Sequence, residues 1–147
     1  MKTQGGFLIS RVHKLQGRAF DRLLRESGVE AFNGAQGRIL YVLWEHESLT
    51  ITQIGLLTSL AKTTLTSMLD RMEEAGLIVR VPDKKNRRQI LVSITDKARA
   101  SREDYDRVSE HMNELFYTGF TKGEIRDFER TLERLIANLE EEERTSL

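Results

Sequence analysis

The chain has 147 residues, the length of one ordinary domain, and its 23 Lys and Arg residues balance its 23 Asp and Glu residues. This balance excludes a uniformly basic, histone-like binder. The absence of cysteine excludes a disulfide framework, a thiolate metal site and a thiol redox switch. No apolar run reaches the ~20 residues of a membrane span, and the N-terminal segment lacks a signal-peptide pattern. We therefore expect a cytoplasmic protein with no membrane partner.

Two helices are predicted first, from apolar residues spaced three and four apart. The first ends at Gly28, a residue type suited to the left-handed position after a helix. The second begins at Asn33, and Gln36 three residues later completes a capping box. The predicted apolar stripe of the first helix is Leu8, Val12, Leu15, Ala19 and Leu23. The predicted buried face of the second is Ala35, Ile39, Val42 and Leu43.

A short helix, a turn and a longer helix follow. Thr50 and Gln53 predict a second capping box at the start of the short helix. The longer helix is predicted from about Lys62 to Ala75, and Gly76 closes it as Gly28 closes the first. The residues predicted to lie inside these two helices are Ile54, Leu57, Leu65, Leu69 and Met72.

The apolar period then changes to two, which predicts strands at residues 77–81 and 90–94 joined by a long basic loop. From Arg80 to Gln89 there are five cations and one anion, a local net charge of +4, whereas residues 121–147 carry −3. The zero net charge therefore conceals a basic hairpin that phosphates would attract.

Helix is predicted to resume at Thr95 and to continue as far as Gly119. A third capping box, Thr121 with Glu124, opens the last helix. The apolar stripes of these helices are Tyr105, Val108, Met112 and Leu115, and then Phe128, Leu132, Leu135 and Leu139.

This order of elements predicts a mostly helical α+β chain: a winged helix-turn-helix lobe with a two-stranded wing, flanked by N- and C-terminal dimerisation helices. We expect one domain over residues 1–147, with the DNA-binding lobe at 32–97 and the dimerisation helices at 1–31 and 98–147. In such a lobe the second helix of the pair enters the major groove, and the hairpin meets phosphates or the minor groove. A symmetric dimer would set two recognition helices about 34–36 Å apart on a near-palindromic duplex.

Hydroxyl side chains crowd the start of the predicted recognition helix although they are poor helix formers, which indicates contact with double-stranded DNA. We expect Thr63, Thr64 and Ser67 to read the major groove, with Lys62 and Thr66 in support and Thr66 reaching only phosphate. In the wing, Arg88 is the first candidate for the minor groove and Arg87 the second, and Lys84 and Lys85 add charge. For Arg71 and for Arg80, two roles stay open: a structural ion pair or a contact with phosphate.

No catalytic pattern accompanies these residues: the sequence has no nucleophile elbow and no phosphate-binding Gly-rich loop. His13, His46 and His111 are too far apart in the sequence to indicate a metal site. We expect that the protein is not an enzyme and that it binds no metal and no cofactor.

From Ile54 to Arg80 the chain reads IGLLTSLAKTTLTSMLDRMEEAGLIVR, and from Asp83 to Thr95 it reads DKKNRRQILVSIT. These runs resemble the recognition helix, the wing and the start of the fifth helix of the MarR family, the multiple-antibiotic-resistance type regulators. Length and flanking helices are also similar, so the resemblance covers nearly the whole chain. It implies a homodimeric transcription regulator, usually a repressor. In many members a small aromatic or anionic effector releases the DNA.

Three positions depart from the family pattern. Ala61 stands where a Ser usually caps the recognition helix, a loss of ~1 kcal/mol that Ser59 would offset in part. Asn86 replaces the carboxylate that usually braces the wing Arg matching Arg88. Ser67 replaces a frequent Arg, which predicts a different base preference. The family's redox-sensing branch needs a cysteine near the N-terminus and is excluded.

Two other functions stay open on the sequence. One is a winged-helix protein-interaction module without DNA specificity, and the other is a ligand-binding helical dimer whose DNA role is secondary. The operator, the regulated genes, the existence of an effector and the choice between repressor and activator are not determined by the sequence.

Overall fold

The computed structural model describes residues 1–146 as helices with one small sheet, which confirms the predicted fold class. None of the described helices is long and apolar enough to cross a membrane. In chain order the elements are α1 (Gly5–Glu26), α2 (Gly34–His46), β1 (Ser48–Thr50), α3 (Ile51–Thr58), α4 (Lys62–Glu74), β2 (Ile78–Pro82), β3 (Ile90–Ile94), α5 (Asp96–Ala100), α6 (Arg102–Phe116) and α7 (Lys122–Ser146).

The local sequence signals set most helix ends. Each of the three predicted capping boxes forms: in the second, the Thr50 hydroxyl accepts from the Gln53 backbone N–H, and the Gln53 side chain accepts from Thr50. The boxes that start at Asn33 and Thr121 have the same reciprocal bonds. Gly28 and Gly76 have φ angles of 74° and 76°, the left-handed conformation predicted for them.

The sheet has three antiparallel strands in the order β1-β3-β2, whereas the sequence predicted two. β2 pairs with β3 as the predicted hairpin, with Ile78 opposite Ile94. The additional strand, β1, is three residues long and places Leu49 opposite Val92. A three-residue strand is too short to show an alternating pattern, and its pairing partner lies far along the chain.

The helix predicted to run on from Thr95 is divided in two. Thr95 caps α5 as expected, by accepting from the Ala98 backbone N–H. The chain then turns at Ser101, whose hydroxyl donates to the carbonyl of Lys97 four residues earlier. Because a Ser side chain competes for helix carbonyls in this way, α6 starts as a separate helix at Arg102.

The chain divides into two compact units, residues 1–112 and residue 113 onward. The core of the first unit joins α2, α3, α4 and the sheet with one residue each of α1, α5 and α6. Trp44 and Phe32 lie in this core, and the Trp44 indole N–H donates to the carbonyl of Ala98 (2.9 Å). Its largest fully buried side chains are Leu24, Ile39, Leu40, Leu43, Ile54, Leu65, Leu69, Met72, Leu77, Ile78, Val92 and Val108.

Two residues predicted to be buried are exposed. Ala35 lies on the outer side of the first turn of α2, and the core positions of that helix belong to Ile39, Leu40 and Leu43. Leu57 is 53% exposed, because α3 is only two turns long and a single residue, Ile54, fills its place in the core.

The second unit contains the end of α6 and all of α7. Tyr117 donates a hydrogen bond to the Glu129 carboxylate (2.7 Å), and the rings of Phe116, Phe120 and Phe128 surround it. Partial burial, together with the Glu129 carboxylate, raises the pKa of Tyr117 to about 12. No residue of α7 is buried within the chain.

Candidate nucleic-acid interface

The predicted recognition helix, α4, has one face in the core and the opposite face in solvent. Leu65, Leu69 and Met72 are buried, which fixes the orientation of the helix. Its C-terminal end is held by Thr95 and Lys97, whose side chains donate to the carbonyls of Gly76 and Ala75 (2.6 and 2.7 Å). All five residues predicted to meet DNA from this helix are exposed: Lys62, Thr63, Thr64, Thr66 and Ser67.

The start of α4 has no side-chain cap. Ala61 occupies the N-cap position in an extended conformation without a capping hydrogen bond. Ser59, the expected substitute, instead adopts the left-handed conformation (φ 58°) and ends α3. The side chain that organises this turn is Thr58, which donates to the carbonyl of Ile54 (2.6 Å) and accepts from the backbone of Leu60 (3.4 Å). The expectation for Ser59 was therefore wrong.

The exposed side of α4 has two flanks of different chemistry, because residues three and four apart lie above one another on a helix. The hydroxyl flank carries Thr64, Ser67 and Arg71. The carboxylate flank carries Thr66, Asp70 and Glu73. On the carboxylate flank, the Thr66 hydroxyl donates to the carbonyl of Lys62 (2.9 Å), so its proton is used within the helix.

Arg80 on β2 pairs with both carboxylates of the carboxylate flank. Its Nη2 lies 2.7 Å from Asp70 Oδ1 and 3.1 Å from Glu73 Oε1, and its backbone N–H donates to Glu73 Oε2 (3.0 Å). These bonds, the one from the Arg80 side chain foremost, hold the pKa of the Glu73 carboxyl below its usual range. Of the two roles left open for Arg80, the structure shows the ion pair.

Arg71 has a different environment. Its Nη2 donates to Ser67 Oγ (3.2 Å), one turn earlier on the hydroxyl flank. Within residues 1–146 no carboxylate lies within 4 Å of its guanidinium, so the ion pair considered for it does not form. Sequence reasoning left Arg71 open between an ion pair and a phosphate contact and did not predict its bond to Ser67. The signal that was available is its spacing of four from Ser67.

The wing loop between β2 and β3 is closed by its own backbone and by two short polar side chains. Asp83 donates its N–H to the carbonyl of Gln89 (2.9 Å), and its carboxylate accepts from the Lys85 N–H (2.9 Å). The Asn86 amide oxygen accepts from the Arg88 N–H (3.2 Å). These bonds shape the backbone of the loop and leave its cationic side chains outside it.

All four predicted wing residues, Lys84, Lys85, Arg87 and Arg88, are exposed. In the part of the chain that the structure describes, no carboxylate lies within 4 Å of either wing arginine. As expected, the Arg88 side chain has no carboxylate to brace it. Asn86 bonds instead to the backbone N–H of Arg88. The structure presents two groups of exposed polar and cationic side chains, on α4 and on the wing, and Arg80 at the base of the wing ties the two elements together.

Comparison with known proteins shows what this arrangement is similar to. The model of the MarR family matches residues 32–90. The organic hydroperoxide resistance transcriptional regulator of Bacillus subtilis is 46% identical over 57 residues, which cover 39% of this chain and 39% of that protein. This chain thus matches about two-fifths of that relative's length. The HTH-type transcriptional repressor IacR of Pseudomonas putida is 27% identical over 137 residues, 91% of this chain and 78% of IacR.

Among solved structures, a mutant MarR from E. coli complexed with operator DNA superimposes with a TM-score of 0.74. The match covers 90% of this chain and 96% of that one at 24% sequence identity. At this identity the match shows that the two chains share a fold. The relatives are named as regulators of transcription, which agrees with the prediction that the chain is not an enzyme. The MarR family model thus matches the part of the chain that contains α4 and the wing loop, and the solved MarR structure shares the fold of nearly the whole chain.

Proposed function

We propose that the protein is a sequence-specific DNA-binding regulator of transcription that acts as a homodimer. The observation that carries the proposal is the exposed face of α4, five polar side chains presented by a helix whose opposite side is locked into the core. A helix held in this way enters a major groove about 12 Å wide without rearrangement of the lobe.

Within this proposal the lobe of residues 32–97 contacts the duplex through two elements. Thr63, Thr64 and Ser67 face the base edges, while Lys62 and Thr66 lie closer to the phosphates. The wing adds Lys84, Lys85, Arg87 and Arg88, with Arg88 directed to the minor groove. Half or more of the contacts go to phosphate and sugar and position the lobe without reading sequence.

The helices outside the lobe, residues 1–31 and 98–147, supply the dimer interface in this proposal. On α1, Leu8, Val12 and Leu15 are 48%, 42% and 50% exposed within one chain. On α7, Ile136 and Leu139 are 52% and 67% exposed. Apolar stripes of this length are costly in water, and a second copy of the chain would cover them. Two recognition helices related by a two-fold axis fit a near-palindromic operator.

The regulator is proposed to be a repressor, which the name of the relative IacR supports. A small aromatic or anionic effector that releases the DNA completes the proposal. Its test is the loss of a preformed protein–DNA complex on titration with such compounds.

The proposal is tested first by a mobility-shift titration of the full-length protein at two salt concentrations. The probe is duplex from upstream of the protein's own gene, with random duplex as competitor. We expect a competitor-resistant shift with two chains per duplex, weakened by salt with a slope of about −0.9 per phosphate neutralised. Binding that random duplex abolishes equally well would favour a protein-interaction module or a ligand-binding dimer.

A further inference from the structure

The two arginines next to the recognition helix have opposite environments. Arg80 is bonded to both Asp70 and Glu73 on the carboxylate flank, so its charge is balanced within the protein. Arg71 is exposed, and the partner it has in the described residues is the neutral hydroxyl of Ser67. The positive charge available to DNA on the surface of α4 therefore comes from Arg71 and, at the helix start, from Lys62.

The Ser67 contact brings the Arg71 side chain back toward the start of the helix. Side chains on a helix tilt toward its N-terminus, and the bond to Ser67 places the guanidinium about one turn, ~5 Å, before the Arg71 backbone. The N-terminal half of a recognition helix is the part that contacts base edges. Arg71 thus starts in the second half of α4 but delivers its charge to the first.

Ser67 also lies at the centre of the exposed face. It is two residues from Leu65 and two from Leu69, both of which are buried. At about 100° per residue, Ser67 points almost directly away from the core. A group held at Ser67 is therefore on the part of the helix that would enter a groove most deeply.

The chemistry of the guanidinium suits a base edge. Arginine has five N–H donors in a planar fork, and the bond to Ser67 uses one of them. Two of the remaining donors match the O6 and N7 acceptors of guanine in the major groove. We infer that Arg71 is a specificity-determining residue that reads a guanine in each half-site, and that Ser67 is the positioning residue that holds it there; this rests on the proposed function.

The inference is tested with a protein–DNA double-mutant cycle. A random duplex library is first selected with the wild-type, full-length protein, and each guanine of the selected half-site is then replaced in turn. Arg71→Ala should bind the selected duplex about five- to 150-fold more weakly, the effect of removing one bidentate pair. One guanine replacement should weaken wild-type binding by a similar factor and leave Arg71→Ala almost unchanged.

Two further variants separate a base contact from a phosphate contact. Arg71→Lys keeps the charge but not the fork, so it should restore the salt slope without restoring the guanine preference. Ser67→Ala should lower the guanine preference in part with an unchanged salt slope. Arg38→Ala, an exposed helical arginine on α2 and also without a carboxylate within 4 Å in the described chain, is the matched control and should keep both properties. Equal thermal melting of all variants confirms that the fold is intact.

An equal loss of affinity for selected and random duplex by Arg71→Ala would overturn the inference and make Arg71 a phosphate contact. Full affinity and unchanged guanine preference in Arg71→Ala would overturn it as well. Each of these results leaves the proposed function standing if the wild-type protein selects a sequence. A wild-type protein that selects no sequence would refute the proposed function, and the inference with it.

Discussion

Helices α2 and α7 differ in what they bury, although both carry an apolar stripe. α2 buries Gly37, Ile39, Leu40, Leu43 and Trp44 within its 13 residues, whereas α7 buries none within its 25. The first unit, which contains α2, closes its own core. The terminal helices leave apolar side chains in water, and the hydrophobic cost of that exposure is removed only by a further surface. The comparison teaches that the first unit specifies its own structure, whereas α7 leaves its apolar stripe exposed, which the proposed dimer would cover.

The largest effect is expected from opening the core. Leu43→Ala should lower the free energy of unfolding by about 2–5 kcal/mol, because the fully buried side chain leaves a cavity behind. The matched variant Leu139→Ala on α7 should weaken the dimer by about 1–3 kcal/mol and leave the lobe folded. Urea denaturation measures the free energy of unfolding of Leu43→Ala, and sedimentation measures the dimer affinity of Leu139→Ala. Equal dimer affinity in Leu139→Ala and wild type would place the interface elsewhere.

Removing Arg80 should have the next largest effect. Arg80→Ala leaves the carboxylates of Asp70 and Glu73 unpaired beside the DNA, and we expect affinity for all duplexes to fall by roughly tenfold. Mobility shifts on selected and random duplex measure the loss. The control combines Arg80→Ala with Asp70→Asn and Glu73→Gln, which removes the repulsion and should recover much of the affinity. No recovery would mean that Arg80 acts by orienting the wing.

The wing is expected to act through charge alone. Arg88→Ala should weaken binding to every sequence and flatten the salt slope by about one unit for each phosphate that Arg88 neutralises in the wild-type complex. The slope is measured by titration at several salt concentrations. Arg88→Lys is the control and should retain the slope. An unchanged slope in Arg88→Ala would remove Arg88 from the interface.

A smaller effect is expected at the uncapped start of α4. Ala61→Ser should stabilise the protein by about 0.5–1 kcal/mol, since a Ser in the extended N-cap conformation already present there supplies the missing acceptor. Thr50→Ala is the opposite control, because it removes an existing cap from α3 and should cost a similar amount. Thermal melting compares the two. A destabilised Ala61→Ser would show that the N-cap position of α4 does not accept a side-chain cap.

The smallest effect on stability near neutral pH is expected from the ionisation of Tyr117 in the second unit. The pKa of Tyr117 is raised to about 12, so the folded state holds this proton more tightly than the unfolded chain does. Its contribution to stability is present below pH ~10 and is lost as the pH rises toward 12. Ultraviolet titration measures the ionisation. Because burial is the largest cause, Glu129→Gln should lower the pKa of Tyr117 only in part, and a full return to the ordinary value would assign the shift to Glu129.

Sequence reasoning succeeded at several structural features set within one turn of chain, although it missed the conformation of Ser59 and the break at Ser101. The capping box at Thr50, the left-handed Gly76 and the exposed polar start of α4 all follow from residues three or four apart. It failed where two distant segments decide together. β1 exists only because β3 pairs with it, and Leu57 is exposed because Ile54 alone fills the place of the short helix α3 in the core.

The sequence by itself determined the helix caps, the change of period at the wing, the basic loop and the polar residues that α4 carries. Only the tertiary structure decided which of Arg71 and Arg80 has a carboxylate partner. Asp70 and Glu73 lie on α4. By sequence separation alone, either Arg71 on the same helix or Arg80 on β2 could pair with them. Because β2 folds back along the carboxylate flank, Arg80 takes both carboxylates, and Arg71 turns to Ser67 on the opposite flank.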